Sequence, residues 1–454
     1  MTKNYLLSAM LGMGAVLSGC TVQTPQTTSY EKPVSATTAP VISKKEVDVI
    51  QSKPTAERVV VSDTLTLSQA VALTLEKSPE LQSFSQMARV GEAKILQAKL
   101  LPNPHLSLSI EDAFGPYGND SYSQATLQLS QLIELGGKRT ARIETATALR
   151  DQYNESYEVK RIEILTALTD KFIRTVADEQ LLKLAEKGEK LAQQALQNIQ
   201  RRSQAGGGSE LEEAKARVLA ARAHIAVEHA HHELISSNRE LSAFWGEENL
   251  RIKNFSSDLF KTDPLPSFEA LSARIEQSPE IKRWVTEKRL REAEKKLADV
   301  QAVPNIVIEG GPRRLEQMND TSWVFQISVP LTLTDRNQGA LAEAEILSKR
   351  VSFEETSARL RFRTTLFSLY QEAKHALTEL ETQRKEIIPQ AEKALSTAQR
   401  GYNQGRFSYL ELIDAQQTLL EVYEEKIEAA YRFHSLVNAI ERLLGAPLNV
   451  ATEN

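Results

Sequence analysis

Apolar and polar residues alternate with a period of two in several short stretches of this chain. Leu106, Leu108 and Ile110 are interleaved with Ser107 and Ser109, and Ala125, Leu127 and Leu129 with Thr126, Gln128 and Ser130. Later, Trp323, Phe325, Ile327 and Val329 form one face, with Gln326 and Ser328 opposite. Such alternation predicts strands with one wet and one apolar face. Loop chemistry at residues 115–120, and from Gly311-Pro312 to Thr321, predicts the tips of two hairpins. Elsewhere the period is three to four. Between Lys138 and Ser203 there is no proline and Gly188 is the only glycine, which predicts one helix on the order of 100 Å long. Leu165, Leu168, Phe172 and Val176, and then Ile413, Leu420 and Ile427 with Tyr423, Ala430, Val437 and Leu444, read as coiled-coil seams.

These elements occur twice. Ser78-Pro79-Glu80-Leu81 returns as Ser278-Pro279-Glu280-Ile281, Leu101-Pro102-Asn103 as Val303-Pro304-Asn305, and Leu127-Gln128-Leu129-Ser130 as Phe325-Gln326-Ile327-Ser328. Gln200-Arg201 returns as Gln399-Arg400 and Ser209-Glu210-Leu211-Glu212 as Ser408-Tyr409-Leu410-Glu411, always about 200 residues on. The organisation expected is a first repeat over 63–257, a linker over 258–267 broken by Asp263-Pro264-Leu265-Pro266, a second repeat over 268–447 and a tail over 448–454. Each repeat reads helix, strand, strand, very long helix, turn, long helix.

Composition narrows the class. Charged residues make up 25% and apolar residues 41% of the 454, with no apolar run long enough for a membrane helix. The net charge of -5 offers no footprint for nucleic acid. A single cysteine excludes a disulfide framework. Its place is informative: Lys3, an apolar stretch, then Leu17-Ser18-Gly19-Cys20 resembles a lipoprotein cleavage site, so 1–19 is read as a signal peptide and Cys20 as the lipidated terminus. Thr21, where an Asp would retain the lipoprotein in the inner membrane, points to the outer membrane. Residues 20–62, rich in Thr, Ser, Gln and Pro, read as a flexible tether.

Four strands are too few to close a membrane barrel, which needs about eight. Either chains associate or the sheet stays open, and three copies would supply twelve strands. The duplicated plan, Leu132-Ile133-Glu134-Leu135-Gly136-Gly137-Lys138-Arg139 at a strand-to-helix junction, and the Gly405-Arg406-Phe407-Ser408-Tyr409-Leu410-Glu411-Leu412-Ile413-Asp414-Ala415 stretch resemble the TolC family of outer-membrane efflux proteins. Glu-Leu-Gly-Gly-Lys-Arg with Ile387-Ile388-Pro389-Gln390-Ala391-Glu392 is most similar to the heavy-metal branch typified by CzcC. The resemblance implies an α+β membrane protein: a homotrimeric, twelve-stranded outer-membrane β-barrel continued by a periplasmic helical coiled-coil barrel. It also implies a passive conduit without cofactor, working with a periplasmic membrane-fusion adaptor and an inner-membrane RND transporter. Its cargo would be heavy-metal cations such as cobalt, zinc, cadmium or copper. Multidrug efflux, type I protein secretion and a structural coiled-coil lipoprotein are the alternatives.

No P-loop, dinucleotide fingerprint, H-E-x-x-H or G-x-S-x-G motif points to an enzyme. Glycine-rich turns at Gly206, Gly207, Gly208 and Gly405 are expected to form the tips where an adaptor docks. Past the second tip, Glu411 and Asp414 share a face of a helix starting near Ser408, and match the acids ringing the family's periplasmic constriction. Glu212 holds the corresponding place after the first tip, and Tyr402 matches a tyrosine of the closing network. Phe407 stands where the best-known member carries a gating arginine. The bland alternative is that both acids merely suit a helix N-terminus. Pro389 and Gly188, soft points at matching heights, are candidate hinges. His224, His229, His231 and His232, with Glu228 and Glu233 at spacings of four, are weak metal candidates more simply read as a solvated face, and His434 as a packed residue.

Overall fold

A computed structural model describes residues 64–111, 123–204, 209–248, 252 and 254–448. Cys20, the tether, Gly206, Gly207, Gly208 and residues 115–120 lie outside the described residues, as does nearly all of the 448–454 tail.

Ahead of the first helix of each Ser-Pro motif lie a short strand and a short helix that periodicity does not single out. These are β1 (Thr64–Leu65) with α1 (Leu67–Lys77), and β4 (Asn254–Phe255) with α5 (Phe268–Arg274). The two strands pair in parallel, so the two ends of the first repeat meet. Segments this short fit helix and strand patterns equally, which is why only the contact resolves them. Then come α2 (Pro79–Lys99) and α6 (Pro279–Gln301), each with proline in its first turn. Ser78 and Ser278 cap them, each hydroxyl accepting a backbone N–H at 3.4 Å.

Four strands follow the two helices: β2 (His105–Glu111), β3 (Gln124–Ile133), β5 (Ile306–Leu315) and β6 (Asp320–Ser328). They form one antiparallel sheet in that order, so each repeat contributes a hairpin. One expectation needs correction. Gly311 and Pro312 belong to β5, not to a hairpin tip, and β5 turns to β6 through residues 316–319. Proline survives there because the ladder toward β3 is interrupted: Thr126 pairs with Arg313 and Leu129 with Gly310, with no pair between. A Cβ on Gly311 would stand 1.8 Å from the Leu127 carbonyl oxygen, so only glycine lets β3 approach. Register puts Leu106, Leu108, Ile110, Leu127, Leu129, Trp323, Phe325 and Ile327 on one face, where Trp323 is 69% and Phe325 78% exposed. The other face carries Ser107, Ser109, Thr126, Gln128, Ser130, Glu309 and Gln326.

The first long helix is unbroken: α3 (Lys138–Gln204) spans 67 residues and is followed by α4 (Glu210–Ala243). Its counterpart is divided. Helix α7 (Gln338–Thr382) passes into a π-turn at Gln383–Ile387, then α8 (Ile388–Asn403), before α9 (Tyr409–Leu444) returns. The π-turn relieves Pro389, which lacks the N–H an α-helix would use and would press on the Lys385 carbonyl. Helices α2 and α4 pack on α3, α3 on α6 and α9, and these in turn on α7 and α8. The largest apolar core, around Leu168, Phe172, Val176, Trp245 and Ile427, joins the first repeat to α9, and a second around Leu271, Leu366 and Ile440 serves the second repeat. A polar ladder steps by four along α3 beside that core. Asn438 donates to the Thr166 carbonyl (2.8 Å), Ser435 to Asp170 (2.5 Å), Arg174 to Glu428 (3.0 Å), and Ser237 of α4 to Asp178. Half-buried polar pairs at one spacing fix the register of α9 on α3.

At the base of the sheet the Glu-Leu-Gly-Gly-Lys-Arg segment locks strand to helix. Arg142 makes a two-pronged bond to Glu134 (2.5 and 3.0 Å) and also donates to the last carbonyls of α2, Ala98 and Leu100. Arg139 donates to the Lys99 carbonyl. Asn337 plays the same part in the second repeat, donating to the Ala298 carbonyl.

Candidate functional site

The second tip is built from a helix stop and a helix start. At the end of α8 the N–H of Arg406 donates to the Gly401 carbonyl (2.8 Å) and that of Gly405, at φ +68°, to the Tyr402 carbonyl (3.0 Å). Phe407 then folds back onto Gly401. A Cβ at Gly401 would lie 2.1 Å from the ring, so the glycine is the seat of the phenylalanine. Ser408 caps α9, as the spacing predicts. Its hydroxyl accepts the Glu411 N–H (3.4 Å), and the Glu411 carboxylate accepts the Ser408 N–H (2.7 Å) and hydroxyl (2.8 Å). These bonds from Ser408 hold the Glu411 carboxyl below the usual carboxylate range.

The structure divides the four candidate gate residues into two groups. Glu411 and Asp414 are exposed on α9, and Glu411 shares a crevice with Phe407, Lys393 and Ala415. Tyr402 is buried on α8 and Glu212 half-buried on α4. Two residues not singled out by sequence complete this second group. Tyr409 stands 6.0 Å from Tyr402 ring to ring, and the Arg202 guanidinium lies 5.5 Å from the Tyr402 ring. Burial, and then the Glu212 charge, push the Tyr402 hydroxyl up; burial, Tyr402 and Glu212 push Tyr409 up to about 12. Both rings join Ile199, Ala216, Leu412 and Ile413 in an apolar cluster tying the two tips together. Gly401 was legible as a glycine inside a helical pattern; Arg202 and Tyr409 carried no local signal.

The hinge candidates differ in kind. Gly188 lies within uninterrupted α3, buried, where a Cβ would meet the Leu420 side chain at 3.2 Å, so it admits α9 close to α3. Pro389 follows the π-turn, which is pinned on both sides: Gln383 donates to Glu425 (2.7 Å) and Tyr423 to Glu392 (2.5 Å). Of the histidines on α4, His224 bonds Glu189 through Nδ1 (2.9 Å), and His229, His231 and His232 are exposed. Among the described residues no group of three or more His, Cys, Asp or Glu is arranged to hold a metal ion. His434 packs as expected, its Nε2 bonded to the Leu259 carbonyl (3.0 Å), and burial lowers its pKa.

A strand sheet with an exposed apolar face, set on paired long helices in two copies of one plan, defines an outer-membrane efflux channel. The chain belongs to the Outer membrane efflux protein family, matched twice, over residues 70–247 and 270–446. It is 28% identical over 381 residues to the cobalt-zinc-cadmium resistance protein CzcC of Cupriavidus metallidurans, covering 84% of this chain and 90% of that one. It is 23% identical over 272 residues to the nickel-cobalt-cadmium resistance protein NccC of Alcaligenes xylosoxydans xylosoxydans, covering 60% and 62%. Its fold is similar to that of CusC (TM-score 0.71, 16% identity, 84% of this chain and 92% of that one). The outer membrane protein VceC of Vibrio cholerae is similar too (TM-score 0.69, 16% identity, 84% and 97%). The protein is therefore an outer-membrane channel component, with its helical part in the periplasm.

Proposed function

We propose that three copies of this chain close a twelve-stranded barrel over a helical tube and conduct heavy-metal cations outward. The observation that carries this reading is the four-stranded sheet, apolar on one face, whose outer strands β2 and β6 have free edges among the described residues. Lipid does not tolerate an open edge, so the sheet must close with further strands. The helical layer has matching flanks. Next to β6, α7 exposes Ile346, Phe353, Leu360 and Phe367, seven residues apart; next to β2, α2 exposes Met87 and Val90, and α4 beyond it Leu211, Val218 and Ile225. Two different flanks joined head to tail generate a ring.

The metal cargo rests on the names of the two relatives and on the exposed acids at the second tip. In this reading Glu411 and Asp414 line the periplasmic opening, Glu212 and Tyr402 hold the tips together, and the π-turn before Pro389 is the joint on which α8 swings. Gly188 serves as the seat of α9 on α3. The turns at Gly206, Gly207, Gly208 and Gly405, with Leu211 and Leu410 exposed beside them, would meet a periplasmic adaptor linked to an inner-membrane RND transporter. The histidines of α4 stay outside the conduction path. Lipid on Cys20 would be a second anchor.

The test combines growth and current. Cells lacking the chain should lose tolerance to cobalt, zinc or cadmium and regain it with the gene. In planar bilayers, Glu411→Gln with Asp414→Asn should lower cation selectivity and weaken divalent-ion block of an intact trimer. Unchanged selectivity and block would place the constriction elsewhere.

A further inference from the structure

Charge on the wet face of the sheet is sorted by height. Register aligns the inward-facing residues into rungs, and from the helix side outward they are Leu132–Val307–Ser328, His105–Ser130–Glu309–Gln326, then Ser107–Gln128 level with Gly311–Val324 where the β3–β5 ladder is interrupted, and Ser109–Thr126–Arg313–Ser322. The last rung, Glu111–Gln124–Leu315–Asp320, is acidic. The second rung therefore holds one carboxylate and one imidazole between polar amides and hydroxyls, and the third has no charge. Arg313, two rungs farther out, is turned aside by a bond from its Nε to the Thr126 hydroxyl (3.0 Å). Among the described residues, the Glu309 carboxylate makes no ion pair or hydrogen bond, and the His105 imidazole has no partner. Most other carboxylates at this end of the molecule, such as Glu134 and Glu144, are paired.

We infer that the His105–Ser130–Glu309–Gln326 rung is a collar at the base of the barrel that weakly holds borderline divalent transition-metal ions, leaving most of their hydration water in place. The inference rests on the trimeric-barrel reading, which repeats the rung three times around one lumen. Neighbouring strands lie about 4.8 Å apart, so His105 and Glu309, two strands apart, stand about 10 Å from each other. A zinc-like ion binds carboxylate and imidazole at about 2.0–2.2 Å. Among the described residues no group of three or more His, Cys, Asp or Glu is arranged to hold a metal ion, so the rung does not enclose an ion in a full ligand set. A single side chain can instead replace one water of a passing ion. Carboxylate does so for any cation, and imidazole for zinc or cobalt in preference to magnesium. Weak holding of this kind is what a conduit requires, because a fully chelated ion would block it.

The experiment uses purified full-length trimer in planar bilayers, with ZnCl2 or MgCl2 added on the extracellular side, far from the periplasmic tip. The variants are Glu309→Gln, His105→Gln and Gln326→Glu, each in the wild-type and the Glu411→Gln/Asp414→Asn backgrounds. Glu309→Gln should weaken block by both ions about tenfold, and His105→Gln should weaken zinc block about threefold and leave magnesium unchanged. Gln326→Glu, which adds a carboxylate to the same rung, should tighten block by both ions about threefold. All three effects should persist when the tip acids are neutralised. Conducting Glu309→Gln trimers with unchanged block overturn the collar; if that variant does not assemble, unchanged block in Gln326→Glu does so. A wild-type chain that forms no channel refutes the barrel reading instead.

Discussion

Replacing Gly401 with alanine isolates a contact that only the tertiary structure shows, the seat of Phe407 on the end of α8. The added Cβ would stand 2.1, 2.6 and 2.8 Å from three atoms of the Phe407 ring, closer than van der Waals contact allows, so the ring must leave its seat. Full burial of a phenylalanine contributes about 1.5–3 kcal/mol; with 39% of Phe407 exposed, about 1–2 kcal/mol is at stake. Alanine returns up to about 1 kcal/mol as helix propensity, but that gain goes to α8 and not to the turn. Helix content should therefore hold while the segment from Gln404 to Ser408 opens. Hydrogen exchange at those amides should accelerate about 5- to 30-fold, with little change in the middle of α8. With the proposed gate at Glu411, channel recordings should show a higher open probability, because that carboxylate loses the ring beside it. Adding Phe407→Ala to Gly401→Ala should cause little further change, since the two act through one contact. Unchanged exchange at the tip in Gly401→Ala, or full additivity in the double variant, would refute the reasoning.

Other predictions follow from the junction, the joint and the anchor. Arg142→Gln should lower the stability of the protein by about 1–2 kcal/mol, a discounted figure because the arginine is a third exposed, read as a lower melting temperature in detergent. The side-chain bond from Arg142 is the main reason Glu134 titrates below its ordinary value. A depressed carboxylate stabilises above its unfolded pKa and loses that contribution as pH falls through the folded one, so the gap between wild type and Arg142→Gln should close in acid. Pro389→Ala restores a backbone donor to the Lys385 carbonyl and should let residues 383–387 return to α-helix. Spin-label distances across the turn would report the straightening, and unaltered distances with unaltered efflux would remove the joint. Cys20→Ser, given a conventional cleavable signal, should still fractionate with the outer membrane, and its appearance as soluble periplasmic protein would mean that the strands do not span.

The order of the main elements was legible in the sequence because it depends on periods of two and of three to four, which are local properties. Ser78, Ser278 and Ser408 stop and start helices through atoms no more than four residues away, so their roles could be read directly. The duplication, visible as matches about 200 residues apart, determined that both repeats would build alike. Contacts between distant segments decided the rest. Gly311-Pro312 has the composition of a turn, yet lies in a strand because β3 approaches closest there and the ladder skips the proline. Pro389 promised a kink, and the cross-helix bonds from Gln383 and Tyr423 accompany a π-turn instead. Glu411 and Glu212 hold equivalent places after their tips, but one is drawn back to its own cap while the other faces two buried tyrosines. The sorting of charge into rungs needs the pairing register of four strands drawn from both repeats. Alternation in the sequence marks the two faces of β2, β3 and β6, but only the register between strands sets the faces of β5 and the height at which each charge stands.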